Sequence, residues 1–252
     1  MSDLSLYSRC DMHVHTALSP CGWSEMSIEA IIRAAEAQGI KHLAITDHIH
    51  PGTDRAIVAQ VKEELSRAEK SIDVYVGCEA DITAVGAHEV DQKLLELTDF
   101  VMVSASHFHE TFISQPRSAS KSDVARHFLE MFSYAASLDF VDVIAHPLYV
   151  MPDTYDQRAP AELDTEDLMP AIRMLKKNNI AVEISRRALA PAQTPFLLSF
   201  YRLCKQEGVK FSIGSDAHRL ADVGRTKLVE PLVTELDLKD DNIWLPYGGA
   251  HR

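Results

Sequence analysis

The sequence predicts an α/β fold in which parallel strands close into a barrel. Three observations carry that expectation. Strand-like and helix-like segments alternate almost throughout the 252 residues, which implies a parallel sheet with right-handed crossovers. Seven such units in one chain favour closure over an open sheet. The strand-like runs are short and apolar, as strands covered on both faces are.

The first expected strand spans residues 9–14. Ser27 then caps a helix that runs through Gln38, with Ile28, Ile31, Ile32 and Ala35 on one side and Gly39 as its stop. Residues 41–46 form a second strand. An amphipathic helix over 54–70 turns Ile57, Val61, Leu65 and Ala68 inward. A third strand covers 73–78, a short helix 90–97 and a fourth strand 100–104.

The helix over 121–138 carries Val124, Phe128, Met131, Phe132 and Ala135 on its apolar side, and a fifth strand follows at 141–145. The next helix is expected to begin near Asp167, because Pro170 lacks an N–H and suits only a first turn. It ends near Asn178, before a sixth strand at 180–184. Thr194 is the expected cap of a helix carrying Phe196, Leu197, Phe200, Tyr201 and Cys204, stopped by Gly208. A seventh strand covers 209–213. The polar, proline-containing stretch 147–160 reads as a loop over the barrel mouth. There is no internal repeat, low-complexity tract or linker. The expected organisation is one domain over 1–234 and a C-terminal appendage over 235–252.

Composition narrows the function. Hydrophobic residues make up 46% of the chain, enough for a sizeable core. No apolar run reaches the about 18 residues that a membrane span needs, and the N-terminus lacks a signal-peptide pattern. The expectation is therefore a cytoplasmic protein with no membrane partner. A net charge of −12 argues against broad contact with a nucleic-acid backbone. It leaves room for a small anionic substrate at a local cationic site. Oligomeric state is not legible. The cysteines, Cys10, Cys21, Cys78 and Cys204, form no CxxC motif.

The chemistry gathers around RCDMHVHTALSPCG at 9–22. His13 and His15 share one face of a strand with Asp11, because strand side chains alternate. Two imidazoles so placed can hold one divalent metal. Alone, the pair also reads as two histidines of a half-buried sheet. Similar residues recur at the ends of later strands, in TDHIHP, GCEAD, SASHFH, IAHP and GSDAH. They supply His48, Glu79, His107, His146, Asp216 and His218, with Cys21 in the first loop. Parallel barrels build their sites at these C-terminal strand ends. Structural histidines have no reason to collect there, so a multinuclear metal site is expected.

The ordered motifs DMHVHT, ITDH, GCEAD, SASHFH, IAHP and SDAH resemble the PHP (polymerase and histidinol phosphatase) superfamily over residues 9–219. The resemblance implies a distorted (β/α)7 barrel, a trinuclear centre and phosphoesterase activity. It implies a first metal on His13, His15, Glu79 and Asp216. A second would share Glu79 and take His107 and His146. A third would take His48, His218 and Cys21, where many relatives carry His or Asp. Thiolate suits zinc and serves Mg²⁺ or Mn²⁺ poorly. That departure leaves a softer third metal, a weak site or no third metal. Two or three divalent transition ions, Zn, Mn or Fe, are thus expected. Three such ions against three anionic ligands leave about +3, a trap for phosphate. Close-set metals polarise phosphoryl oxygens and lower the pKa of a bridging water toward ~7, so that it attacks phosphorus.

Other residues are candidates for support. Asp47 and His50 share the loop of His48 and are expected as acid to the leaving oxygen or as partners of the ligands. Asp11 either orients His13 or forms a buried ion pair. His109 competes with His107 as ligand, and motif matching favours His107. Arg186, followed by Arg187, is expected to grip phosphate as a planar fork. Ser104, Ser106 and Arg219 are weaker candidates. The reading is a hydrolase of a small phosphate monoester, histidinol-phosphate-like or nucleotide-like. The alternatives are an exonuclease or phosphodiesterase on nucleic acid, or a metal-binding scaffold without turnover.

Overall fold

The computed structural model describes residues 5–246. The chain opens on β1 (Cys10–Val14), buried along its whole length. α1 (Ile28–Ala37) follows, and Ser27 caps it by accepting from the Ala30 N–H. β2 (His42–Ile45) and β3 (His48–Ile49) are one strand unit interrupted at Thr46 and Asp47. After α2 (Ala56–Arg67), β4 (Asp73–Val76) and β5 (Glu79–Ala84) make a unit broken at Gly77 and Cys78. β5 continues into a hairpin with β6 (Ala87–His88), turned by Gly86 at φ 87°.

Helices α3 (Gln92–Leu97) and α4 (Lys121–Ser137) flank β7 (Met102–Ser104). β8 (Val143–Ile144), α5 (Thr165–Lys177), β9 (Ala181–Ile184), α6 (Thr194–Gln206), β10 (Phe211–Ile213) and α7 (Glu230–Glu235) complete the order.

One parallel ladder joins β1, β2 and β4; a second joins β3, β5, β7, β8, β9 and β10. The two interrupted units belong to both, so neighbours follow chain order from β1 to β10. The two ends of this path meet beyond the strands, where Val14 bridges Ala217 and the His15 N–H donates to Ala217 O at 3.0 Å. This is the expected α/β architecture of seven parallel units, distorted where the broken strands and the irregular seam lie. The core is the apolar strand residues with the inner faces of the helices. Ile31, Ile32, Phe128, Phe132 and Phe200 are fully or almost fully buried.

Two helix starts differ from expectation. α5 begins at Thr165 and carries Pro170 inside it. Asp164 accepts from the Asp167 N–H while Asp167 accepts from the Asp164 N–H, and this reciprocal cap sets the helix start ahead of the proline. Thr194 does not cap α6. Its hydroxyl donates to Ala188 O and Ala190 O, and Gln193 occupies the cap position.

The loop after β8 is tied down rather than loose. The Gln193 side chain accepts from the Val150 N–H and donates to Val150 O. In the stretch expected as an appendage, Ile243 bridges Phe211 and the Trp244 ring packs edge-on to Phe100 at 5.2 Å. Residues 247–252 of that stretch lie outside the described residues. No helix among the described residues is long and apolar enough to cross a membrane.

Candidate metal centre

The interruptions in the strands build the site. Between β2 and β3 the backbone alternation sends Asp47 and His48 to opposite sides. His48 enters the barrel mouth. Asp47 turns away and accepts from Thr16 N–H at 2.6 Å and Thr16 Oγ1 at 2.7 Å. The expected catalytic role of Asp47 is therefore corrected: it ties the loop after β1 to the strand carrying His48. Burial pushes its carboxyl up to about 6.

Glu79 is the centre of the cluster. Its Oε2 lies 3.2 Å from His13 Nε2, 3.5 Å from His15 Nε2 and 3.2 Å from His48 Nδ1. Its Oε1 lies 2.9 Å from His146 Nε2 and 3.4 Å from His107 Nε2. Burial opposes ionisation, but His48, His13 and His107 together hold its pKa well below the usual range. Asp216 Oδ1 stands 3.7 Å from His13 Nε2 and 3.5 Å from His15 Nε2. His218 follows, its ring 4.5 Å from that of His15. His146 and Asp216 both have left-handed backbones, at φ 26° and φ 53°. Such conformations in residues with a side chain persist where the surroundings impose them.

Three groups of side chains bring ligand atoms within 4.8 Å of one another: His13, His15 and Asp216; His48, Glu79 and His107; and His15, Cys21, His48 and His218. His13 Nε2 and His15 Nε2 are only 3.0 Å apart. The Nδ1 atom of His15 is buried without a hydrogen-bond partner, and that of His48 faces Glu79 Oε2 at 3.2 Å outside hydrogen-bond geometry. Converging imidazoles, carboxylates and orphaned ring nitrogens fit a divalent transition metal. Cys21, on the exposed loop, joins the group of His15, His48 and His218. Gly22 makes that loop possible, since a Cβ there would stand 1.8 Å from Thr16 O.

Two carboxylates missed by sequence reasoning contact the candidate ligands. Asp81 accepts from His107 Nδ1 at 2.8 Å and from His50 Nδ1 at 2.6 Å. Glu183 lies 2.7 Å from His13 Nδ1 and accepts from the His146 N–H at 2.7 Å. Each carried a signal. Asp81 stands two residues after Glu79 on the same strand face, and Glu183 is an acid inside the apolar run AVEI. Asp11, considered for orienting His13, instead accepts from the Ser215 and Gly224 N–H groups.

The cleft above the cluster measures roughly 300 Å³. Its walls include Pro20, His50, His109, Glu110, Met151 and Arg187. His107 faces Glu79, whereas His109 stays at the rim, 3.4 Å from Glu110. The arginine expectation is corrected too. Arg186 is exposed and pairs with Asp222 at 3.2 Å, while Arg187 enters the cleft and pairs with Asp216. The cause is the short 3-10 helix Arg186–Leu189, which turns adjacent side chains in different directions. Ser106 Oγ lies 3.0 Å from His146 Nδ1, and Ser104 Oγ accepts from the Ser106 N–H. Arg219 stacks on Trp23 at 3.6 Å and does not line the cleft.

Comparison with known proteins agrees with this architecture. The model of the PHP domain matches residues 11–187. A probable phosphatase of Caldicellulosiruptor bescii is 28% identical over 246 residues, covering 94% of this chain and 91% of the relative. A probable phosphatase of Photobacterium profundum is 27% identical over 239 residues, covering 92% and 87%. Among solved structures, histidinol phosphate phosphatase from Lactococcus lactis superposes with a TM-score of 0.62 at 17% identity. That match covers 94% of this chain and 99% of the other, which was solved with zinc, L-histidinol and phosphate.

Proposed function

The chain belongs to the PHP domain family, and from that premise we propose a metal-dependent phosphatase acting on a small phosphate monoester. The observation that carries this reading is Glu79. Its two oxygens face two separate sets of imidazoles at the floor of a cleft that one arginine enters. In this reading His13, His15, Glu79 and Asp216 hold one ion. Glu79 also serves a second, with His107 and His146. Cys21, His48 and His218 hold a third. Divalent metal bound there supplies Lewis-acid polarisation of phosphoryl oxygens and an activated water.

The protein's own groups do the rest. Arg187 presents guanidinium donors to the phosphate, with Asp216 and the Tyr149 ring 5.5 Å away holding its plane. Its own charge is secure, since Asp216 more than offsets the effect of burial and holds its pKa above the usual value. His50 uses Nδ1 to donate to Asp81, so Nε2 is the nitrogen left for the cleft. The hydrogen bond to Asp81, working against burial, raises the His50 pKa. A protonated His50 is then the group that gives a proton to the departing ester oxygen. A cleft of roughly 300 Å³ suits a small leaving group, histidinol-like or nucleoside-like.

The test is turnover by the purified protein on a panel of histidinol phosphate, nucleoside monophosphates, a simple phosphodiester and single-stranded DNA. The expected result is monoester hydrolysis that a chelator abolishes and added zinc or manganese restores. Preference for the diester or the DNA would replace this reading with the nuclease one. Metal binding with no turnover on any substrate would leave a scaffold.

A further inference from the structure

Glu183 reaches two of the proposed ligands at once. It lies in β9, fully buried, with Oε1 2.7 Å from His13 Nδ1 and Oε2 2.7 Å from the backbone nitrogen of His146. The partners come from elsewhere in the barrel, β1 and the segment after β8. The space is cut to fit. A Cβ at Gly214 would stand 2.5 Å from Glu183 Oε1 and 2.5 Å from His13 Cβ, so only glycine admits this packing.

We propose that Glu183 is a positioning residue with two linked tasks. It keeps the proton of His13 on Nδ1, which frees Nε2 for the metal. It also holds the His146 backbone in the left-handed conformation that aims that imidazole at Glu79. The inference rests on the metal-holding role given above to His13 and His146.

The argument is one of donors and acceptors. The His146 N–H can only donate, so one oxygen of Glu183 must accept from it. As a carboxylate, its other oxygen is also only an acceptor, so Nδ1 of His13 must donate. In the metal-loaded protein the ring is neutral and carries one proton. Nε2 is then left with a lone pair, and it is Nε2 that faces Glu79 Oε2 and His15 Nε2 at 3.2 and 3.0 Å. An amide at position 183 cannot do this. With its oxygen toward His146, its NH₂ faces Nδ1 and drives the proton to Nε2, where it blocks the metal. With its oxygen toward His13, two donors face each other at His146, and the left-handed backbone at φ 26° loses its hydrogen bond.

The experiment is long-range ¹H–¹⁵N NMR of the histidine rings in the zinc-loaded protein, with zinc affinity measured beside it. Wild type is expected to show His13 protonated at Nδ1 and coordinated through Nε2. Glu183→Gln is expected to keep the wild-type circular dichroism, lose that signature and bind zinc on the order of ten- to a hundred-fold more weakly. Excess zinc should restore its turnover with little change in KM. Glu183→Asp keeps two acceptors and should recover the Nδ1-protonated ring. Coordination of wild-type His13 through Nδ1 would overturn the proposal, and so would wild-type zinc affinity in Glu183→Gln. If Glu183→Gln does not fold, the wild-type spectrum still decides. A wild type with this signature but no phosphatase activity would sink the proposed function and uphold the role of Glu183.

Discussion

Arg187 is paired through Nε with Oδ2 of Asp216, while the other oxygen of Asp216 faces His13 and His15 at 3.7 and 3.5 Å. One carboxylate therefore fixes the guanidinium beside the cluster of candidate metal ligands. If Arg187 grips phosphate, Arg187→Lys should fail along with Arg187→Ala, because an ammonium lacks the planar fork. Loss of a charge-assisted contact costs about 1.5–3 kcal/mol, or roughly ten- to a hundred-fold in kcat/KM for phosphate esters. Arg186→Ala changes only an exposed pair with Asp222, and kcat/KM should stay within about twofold. Steady-state kinetics of the three variants decide it. The opposite ranking would return the phosphate to Arg186.

A second expectation follows from Asp81. It receives Nδ1 of both His107 and His50. In Asp81→Asn only one of them finds an acceptor. Metal affinity or turnover should fall on the order of ten- to a hundred-fold, the usual effect of disturbing a partner behind a ligand. The pH dependence of kcat should also change, because His50 loses the hydrogen bond that raises its pKa. A pH profile superposing on wild type would remove His50 from the proton-transfer step.

Cys21 yields a third. It lies within reach of His15, His48 and His218, and in the metal-free protein burial pushes its thiol up to about 11. Bound zinc would strip that proton, as a coordinating thiol is deprotonated outright. Cys21→Ser should therefore lower zinc content by one ion per chain and spare the rest. Cobalt substitution offers a second readout, since the thiolate charge-transfer absorption should vanish in the variant. Unchanged metal content would make Cys21 a bystander.

Much of this molecule was legible because its rules are periodic. Apolar runs and capped amphipathic segments placed all seven strand units within a few residues, and the candidate ligands sit at their ends. His13, His15, Glu79 and Asp216 lie together because parallel strands deliver their C-terminal ends to one face. What remained hidden depends on non-periodic backbone. The break at Thr46–Asp47 turned Asp47 out of the site, and the 3-10 turn after β9 exchanged Arg186 for Arg187. Glu183 was overlooked because a lone acid in an apolar strand declares itself only when its two partners, 170 and 37 residues away, are brought beside it. Local propensity also misplaced the start of α5, which a reciprocal Asp cap sets ahead of the proline.

The last expectation concerns pH. Burial lowers the His107 pKa, but Glu79 and Asp81 outweigh it and carry it to about 10 in the metal-free protein. His13 is raised well above its ordinary value against the same opposition from burial, by Glu183, Glu79 and Asp216. Both rings are therefore cationic near neutrality in the metal-free protein. A histidine raised in the folded state contributes stability below its unfolded pKa of about 6.5, and that stability is lost as pH rises through the folded value. The metal-free protein should accordingly lose thermal stability between pH about 6.5 and the His107 value of about 10. His15 behaves oppositely. Burial lowers it to about 4, so its contribution is present above about 6.5 and lost as pH falls toward 4. Zinc requires neutral rings, so binding must expel the protons of His13 and His107. Calorimetric titration of zinc into chelated protein at pH 7, in two buffers of different ionisation enthalpy, should register proton release. The zinc-loaded protein should show a flatter melting profile across the alkaline range. Zinc binding without proton release, or equally flat profiles with and without metal, would mean that these imidazoles are already neutral when the ions arrive.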